Sequence, residues 1–299
     1  MKFAYAIMAH NAPAQLHALI DRLAAGDGQD RIILHLDKRS ALWRERRDEF
    51  ARHPSGKVEL VSHPAAVRWA HHSIVVAQHR LLQTALQGEF DYFHLISGAD
   101  WPVVDRARMA ADIAAQTARP AFVRIFGQMQ EARMQDWWFD ERKFDFGRYR
   151  RLTVNVERAQ TRASWAFSRC WNRAGLHRRL YRGQPWIKGS GWFSLPRDIA
   201  AEVSAELGKL LRGARLRFTQ CADEHAVPTI LSRLYGDRIA GDRRYIDWAA
   251  GGYHPKLLTR ADKAAIAASG AWFARKFDGA TDDFFLDPAA FSASGAAAE

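Results

Sequence analysis

The sequence predicts an α/β protein: a Rossmann-like, mostly parallel sheet with helices on both faces. Three observations predict it. Over the first 125 residues short β-rich apolar runs alternate with amphipathic helical patterns, the order that builds a parallel sheet. Three of those runs end in polar residues, His10-Asn11, Asp37-Lys38 and Ser97-Gly98-Ala99-Asp100, as strand ends around a ligand crevice do. A length of 299 residues is enough to bury a full core, as one large domain or as two subdomains sharing a crevice.

Taken in order, Lys2–Ala9 reads as the first strand and Ala12–Ala25 as a helix closed by Gly26. Arg31–Leu36 is a second strand, and Ser40 is placed to cap the helix after it. Val58–Val61 is a short third strand. His72–Leu86 carries Ile74, Val75, Leu81, Leu82 and Leu86 at helical spacing and stops before Gly88. Tyr92–Ile96 reads as a buried strand, Arg106–Gln116 as a helix and Phe122–Ile125 as a strand. From about residue 128 to 186 periodicity is lost, and Trp, Phe and Arg crowd together as in QDWWFDERKFDFGRYRR. This aromatic and Arg-rich stretch reads as a mobile or partly helical insertion over the active face. Regular pattern returns at Gly191–Leu195, at a helix over Asp198–Leu211 and at another over Asp223–Leu234. No internal repeat is present.

Lys and Arg number 44 against 33 Asp and Glu, a net charge of +11. Such a charge suits a polyanionic partner, an anionic membrane surface or a phosphate site. Much of the excess lies between Arg142 and Arg182, where a solvated face would explain it equally well. The basic residues are dispersed and no nucleic-acid motif occurs, so no nucleic-acid partner is expected. Cys170 and Cys221 are too few and too far apart for a disulfide framework or a zinc site, and they fit a reducing compartment. No run nears the roughly 18 apolar residues of a transmembrane helix. The opening MKFAYAIMAHNAPAQ resembles a signal peptide, but its apolar run stops at His10-Asn11, and a first strand is the better reading. The expected location is cytoplasmic, with peripheral contact to an anionic inner membrane face as a further use of the charge.

Neither a G-x-G-x-x-G loop after the first strand nor a G-x-x-x-x-G-K-[ST] loop occurs, which argues against dinucleotide and P-loop chemistry. A nucleotide-sugar transferase needs neither loop. Many such enzymes hold the diphosphate through a divalent ion on an Asp-x-Asp pair. Here Asp37 is followed by Lys38-Arg39 and Asp100 is preceded by Ser97-Gly98-Ala99, so neither strand end offers two carboxylates. His71, His72 and His94 lack a carboxylate companion at helical spacing. No metal and no other cofactor is expected, and lysine and arginine would have to meet any diphosphate.

The blocks Tyr5–His10 (YAIMAH), Leu34–Ser40 (LHLDKRS), Val67-Arg68-Trp69, Leu95–Pro102 (LISGADWP), Lys188–Arg197 (KGSGWFSLPR), Asp223-Glu224-His225 and Phe273–Asp278 (FARKFD) form an ordered set. In order and spacing the sequence resembles the core-2/I-branching β-1,6-N-acetylglucosaminyltransferases and peptide O-xylosyltransferases, glycosyltransferase family 14. The resemblance spans about residues 2–280. It implies a GT-A fold and an inverting, metal-independent transfer of GlcNAc or xylose from a UDP-sugar in β linkage to a hydroxyl of a glycan or other acceptor. It implies a single domain at 1–288, with a nucleotide-binding half at 1–127, the insertion at 128–186 as acceptor region and a catalytic half at 187–288. Residues 289–299 are expected to be a disordered tail.

By the same resemblance Glu224 is the catalytic base, Lys276 grips the diphosphate together with Arg243 or Arg244, and Asp37 and the Met8–His10 loop lie at the uridine. Ser97 and Asp100 are expected at the donor; Asp100 either bonds the sugar, orients a cation or only braces its turn. Trp192 and Asp223 are the candidate acceptor contacts. The plainer alternatives are that Trp69, Trp101 and Trp192 are core and that Asp223 or Glu224 only caps a helix. The chemistry agrees with these residue types. In-line displacement at an anomeric carbon needs one base for the acceptor proton and cations for the leaving group. A carboxylate near a helix N-terminus is favoured by the dipole. Pro228, four residues beyond Glu224, is expected to bend the helix that carries the base. The membrane anchor, stem and many disulfides of the larger secretory-pathway members have no counterpart in the sequence.

Overall fold

A computed structural model describes residues 1–26, 28–138, 150–176, 181–249, 251 and 254–291, with backbone only for 150–155, 157 and 158. The strands among them are β1 (Phe3–Ala9), β2 (Arg31–Leu36), β3 (Val58–Leu60), β4 (Tyr92–Ser97), β5 (Asp100–Pro102), β6 (Ala121–Phe122), β7 (Ile125–Gly127), β8 (Lys188–Gly189), β9 (Ser194–Pro196), β10 (Ile239–Ala240), β11 (Arg244–Ile246) and β12 (Phe273–Arg275). The α-helices are α1 (Pro13–Ala24), α2 (Arg47–Ala51), α3 (Ser73–Leu86), α4 (Arg106–Ala114), α5 (Ala132–Gln135), α6 (Arg150–Arg173), α7 (Arg197–Arg212), α8 (Ala226–Leu234) and α9 (Lys263–Ala268).

The main sheet has the order β10-β6-β9-β4-β1-β2-β3. β1 is parallel to both β2 and β4, β2 to β3, and β10 to β6. Only β9 is reversed, antiparallel to β4 and to β6. The α/β class and mostly parallel sheet expected from the sequence are therefore present. The period-2 alternation of the strands explains why helices cover both faces. In β1, Phe3, Tyr5 and Ile7 pack into one core with Leu16, Leu19 and Ile20 of α1 and Met109 and Ile113 of α4. Ala4 and Ala6 face the other core, with Val75 and Leu81 of α3, Val203 and Leu207 of α7 and Ile230 of α8. Each such fully buried aliphatic or aromatic side chain contributes roughly 1.5–3 kcal/mol.

A second, three-stranded sheet, β11-β12-β5, lies at the C-terminal ends of the main strands, and its register sets Arg275 directly opposite Asp100. Several local expectations hold: Ser40 Oγ accepts the Trp43 N–H at 3.2 Å, as a cap does. Others are corrected. Gly191–Leu195 is not a strand in full, because only Ser194–Pro196 pairs. The helix expected over Asp223–Leu234 is broken. Cys221 takes a left-handed φ of 50°, Ala222–Glu224 form a 3-10 turn, and α8 begins at Ala226.

Pro228 therefore sits in the first turn of α8, where a backbone N–H has no intrahelical partner to lose, and the expected bend has no cause. The stretch without sequence periodicity contains α6, a helix of 24 residues. Within that stretch 139–149 and 177–180 lie outside the described residues. The expected tail is ordered at its start, since Phe291 packs at 5.8 Å from Phe284 and Ala290 is buried. Residues 292–299 lie outside the described residues.

Candidate active site

Four chain segments meet where the main strands end. The Gly98 N–H donates to the Met8 carbonyl at 3.0 Å, and Phe277 N–H donates to the Ala99 carbonyl at 2.9 Å. Asp37 N–H donates to the Ala9 carbonyl at 2.9 Å. Gly98 allows this closeness, because a Cβ there would stand 3.3 Å from that of Ala9. Gln15 of α1 fastens two of the loops. Its amide nitrogen donates to Gly98 O at 2.9 Å and Phe277 O at 3.3 Å, and its oxygen accepts the Gly279 N–H at 3.0 Å.

Asp37 keeps its carboxylate in the loop, accepting the N–H groups of Arg39 at 2.9 Å and Val67 at 3.2 Å. His10 is exposed, yet desolvation beneath its ring lowers its pKa, with Asp37 opposing and Lys276 adding to the shift. His10, Asp37 and Lys276 thus share one electrostatic neighbourhood. Ser97 Oγ accepts the Ala99 N–H at 3.2 Å and shapes the turn.

Asp100 is buried, accepts the Ser97 N–H and pairs with the Arg275 guanidinium at 3.2 Å. Arg275 in turn lies 4.1 Å over the Trp192 ring. The cation beside Asp100 is thus Arg275. Arg244, expected at the diphosphate, is only 5% exposed and donates to the carbonyls of Leu95 and Phe193, both at 2.9 Å. It braces β4 against β9 beneath the site, where burial lowers its pKa to about 10. Arg243 points away, donating to Gly270 O at 3.4 Å and lying 5.7 Å over Trp272. Neither arginine faces the opening as expected: Arg244, the first residue of β11, turns into the interior, and Arg243, just before the strand, lies beside Gly270 and Trp272. Trp101 is core, as the plain reading had it, whereas Trp69 is 52% exposed and is not.

Glu224 stands on the other side. Its carboxylate accepts from Arg133 at 2.8 Å and lies 3.7 Å from the Lys188 amine. Asp223 abuts Gly191, where an added Cβ would meet its carboxylate at 3.0 Å. Burial first, and the adjoining Glu224 charge second, push the Asp223 carboxyl up to about 7. No side chain caps α8, so neither acid serves as the helix cap. The turn bearing them is held to the loop before α3 by Cys221 N–H donating to Ala70 O at 2.7 Å. Both residues of that bond are left-handed, at φ 50° and 60°, a conformation that costs of order 1–3 kcal/mol and is retained where a site needs it. The Cys221 thiol is pushed up to about 12 by burial and Asp223, which makes it a poor nucleophile.

The arrangement is a carboxylate between two cations, Arg133 and Lys188, with two more, Arg275 and Lys276, at the end of β12. Among the described residues no group of three His, Cys, Asp or Glu could hold a metal ion. A cleft of about 650 Å³ opens elsewhere, lined by Arg119, Arg197 and Arg238, at the opposite end of β4. Its arginines are engaged by Asp91, the Gly88 carbonyl and Asp198.

The profile of the Core-2/I-Branching enzyme family matches residues 3–267. The chain belongs to the Core-2/I-branching enzyme family. That is a glycosyltransferase family, and the resemblance read from the sequence is thereby borne out. Among solved structures, the branching-family chain is similar to residues 1–349 of S. aureus TarS, crystallised with UDP-GlcNAc. That match has 18% identity and a TM-score of 0.27, covering 38% of this chain and 30% of that one. It is also similar to the galactosyltransferase LgtC, crystallised with donor and acceptor sugar analogs, at 11% identity and a TM-score of 0.40, covering 97% and 92%. The chain thus spans under a third of the TarS structure. No curated protein gives a significant match.

Sequence reasoning missed four residues of this branching-family site. Lys188 and Arg275 lie inside matched blocks, KGSGWF and FARKFD, so their signal was present. Gln15 reads as an ordinary helix residue, and Arg133 sits in the aperiodic stretch, where nothing distinguishes it.

Proposed function

We propose that this chain is an inverting glycosyltransferase that moves GlcNAc or xylose from a UDP-sugar to a hydroxyl of a glycan or other acceptor, without a metal. The observation that supports the reading is Glu224, a partly exposed carboxylate held between Arg133 and Lys188, together with a second pair of cations, Arg275 and Lys276, at the end of β12. In the reaction the acceptor oxygen attacks the anomeric carbon and its proton passes to Glu224. The bond to the diphosphate breaks on the opposite face, and Lys276 and Arg275 meet the charge on the departing UDP. Asp37, Met8 and His10 border the uridine end; Ser97 and Asp100 line the donor turn; Trp192 and Asp223 flank the acceptor.

Glu224→Gln tests the reading. UDP affinity and melting temperature are expected to hold, while transfer falls roughly a hundredfold to ten-thousandfold, the usual worth of a positioned base. A variant keeping more than about a tenth of wild-type transfer would move the base elsewhere, since no positioned base is worth so little.

A further inference from the structure

We propose that α6 is a docking helix for an anionic lipid bilayer. One face of the helix packs inward: Ser164 and Ser168 are buried, and Phe167 and Trp171 lie against Trp137. Trp165 is outside that face and 57% exposed. At 100° per residue, Arg162, Trp165, Arg169 and Arg173 fall within an arc of about 80°. All four are exposed, and a strip of exposed alanines with Cys170 runs beside them. From Ala159 to Leu176 the sequence has three arginines and no Asp or Glu. The helix closes with Gly175 at φ 71° and Leu176 N–H donating to Trp171 O at 3.1 Å, which leaves the Leu176 side chain 50% exposed at the tip.

Arginines alone would suit any polyanion. The exposed Trp165 and the strip of alanines beside them add apolar surface that a lipid interface buries, where Trp is favoured and arginine reaches the headgroups. The helix is also tied to the site. Trp137 donates its N–H to Ser168 Oγ at 2.8 Å, and Gln220 N–H donates to the carbonyl of Arg133, the residue paired with Glu224, at 2.8 Å. A docked α6 therefore keeps the base side of the cleft close to the lipid surface. The inference does not depend on the transferase reading.

Cosedimentation with vesicles tests it, using phosphatidylcholine alone or with about one-third phosphatidylglycerol. The full chain is expected to bind the anionic vesicles and not the neutral ones. Each arginine near such a surface is worth about fivefold, so R162Q/R169Q/R173Q is expected to weaken binding roughly a hundredfold. Trp165→Ala should weaken it further at high salt, where the apolar contact dominates. An unchanged melting temperature shows that the variants are folded. Absent binding, equal binding to neutral vesicles, unchanged binding by the triple variant, or binding to heparin with none to vesicles would each overturn the proposal.

Discussion

At the scale of single residues, the two acids of the 3-10 turn divide the work by environment. Asp223 is the more enclosed, and its carboxyl is raised. Between the ordinary carboxylate range and about pH 7 the folded protein therefore holds a proton that the unfolded chain has released. The stability this gives is complete below about pH 4 and is lost as pH rises through the folded value. Asp223→Asn has no proton to lose, so its melting temperature is expected to fall less than wild type between about pH 5 and pH 8. Equal falls in both proteins would refute the assignment. Lys276 is the residue-scale test of the leaving-group side. Lys276→Ala is expected to weaken UDP binding about tenfold to a hundredfold, the worth of a charge-assisted contact, while uridine binding changes little. Calorimetry with both ligands decides it, and equal losses would place the lysine outside the diphosphate contact.

Among the elements, β8 and α8 show how the chain around the base is fixed. β8 carries Lys188, and its Gly189 has no room for a side chain: a Cβ would lie 2.6 Å from Arg124 O and 2.8 Å from Pro228. Gly189→Ala is expected to cost about 1–3 kcal/mol, the range of core overpacking, and to lower transfer by displacing Lys188. Pro228→Ala is expected to change stability by less than about 1 kcal/mol, because a first-turn position has no helix bond to regain. Urea midpoints at constant slope measure both. A large gain for Pro228→Ala would revive the bent-helix reading. The same contrast explains what was legible in the sequence. α1, α3 and α7 bury wide apolar stripes and are seen as periodicity. The packed face of α6 mixes Ser164 and Ser168 with Phe167 and Trp171, so its stripe is not marked by aliphatic residues alone.

For the whole molecule, the charge of +11 is divided between tasks. Arg244 braces the sheet and Arg275 neutralises Asp100. Arg133 and Lys188 hold Glu224, and Arg162, Arg169 and Arg173 of α6 are exposed to solvent. With the buried Asp100 already paired to a guanidinium, a divalent ion there would have to displace Arg275. UDP affinity and transfer are therefore expected to be the same in EDTA as in manganese. A chelated protein restored from near zero by manganese would overturn metal-independent transfer. No helix among the described residues is long and apolar enough to cross a membrane.

By itself the sequence determined the class of fold, the polar strand ends and the family, because these depend on local periodicity and on blocks of adjacent residues. The proposed site residues Glu224, Asp37, Asp100 and Lys276 each lie within such a block. Only the tertiary structure decided which cation meets which acid. Arg275 reaches Asp100 through an antiparallel register between segments about 175 residues apart in sequence, a pairing no local pattern encodes. It likewise decided that Arg244 is a brace, since two adjacent arginines look alike in sequence and only the packing of β11 turns one of them into the interior.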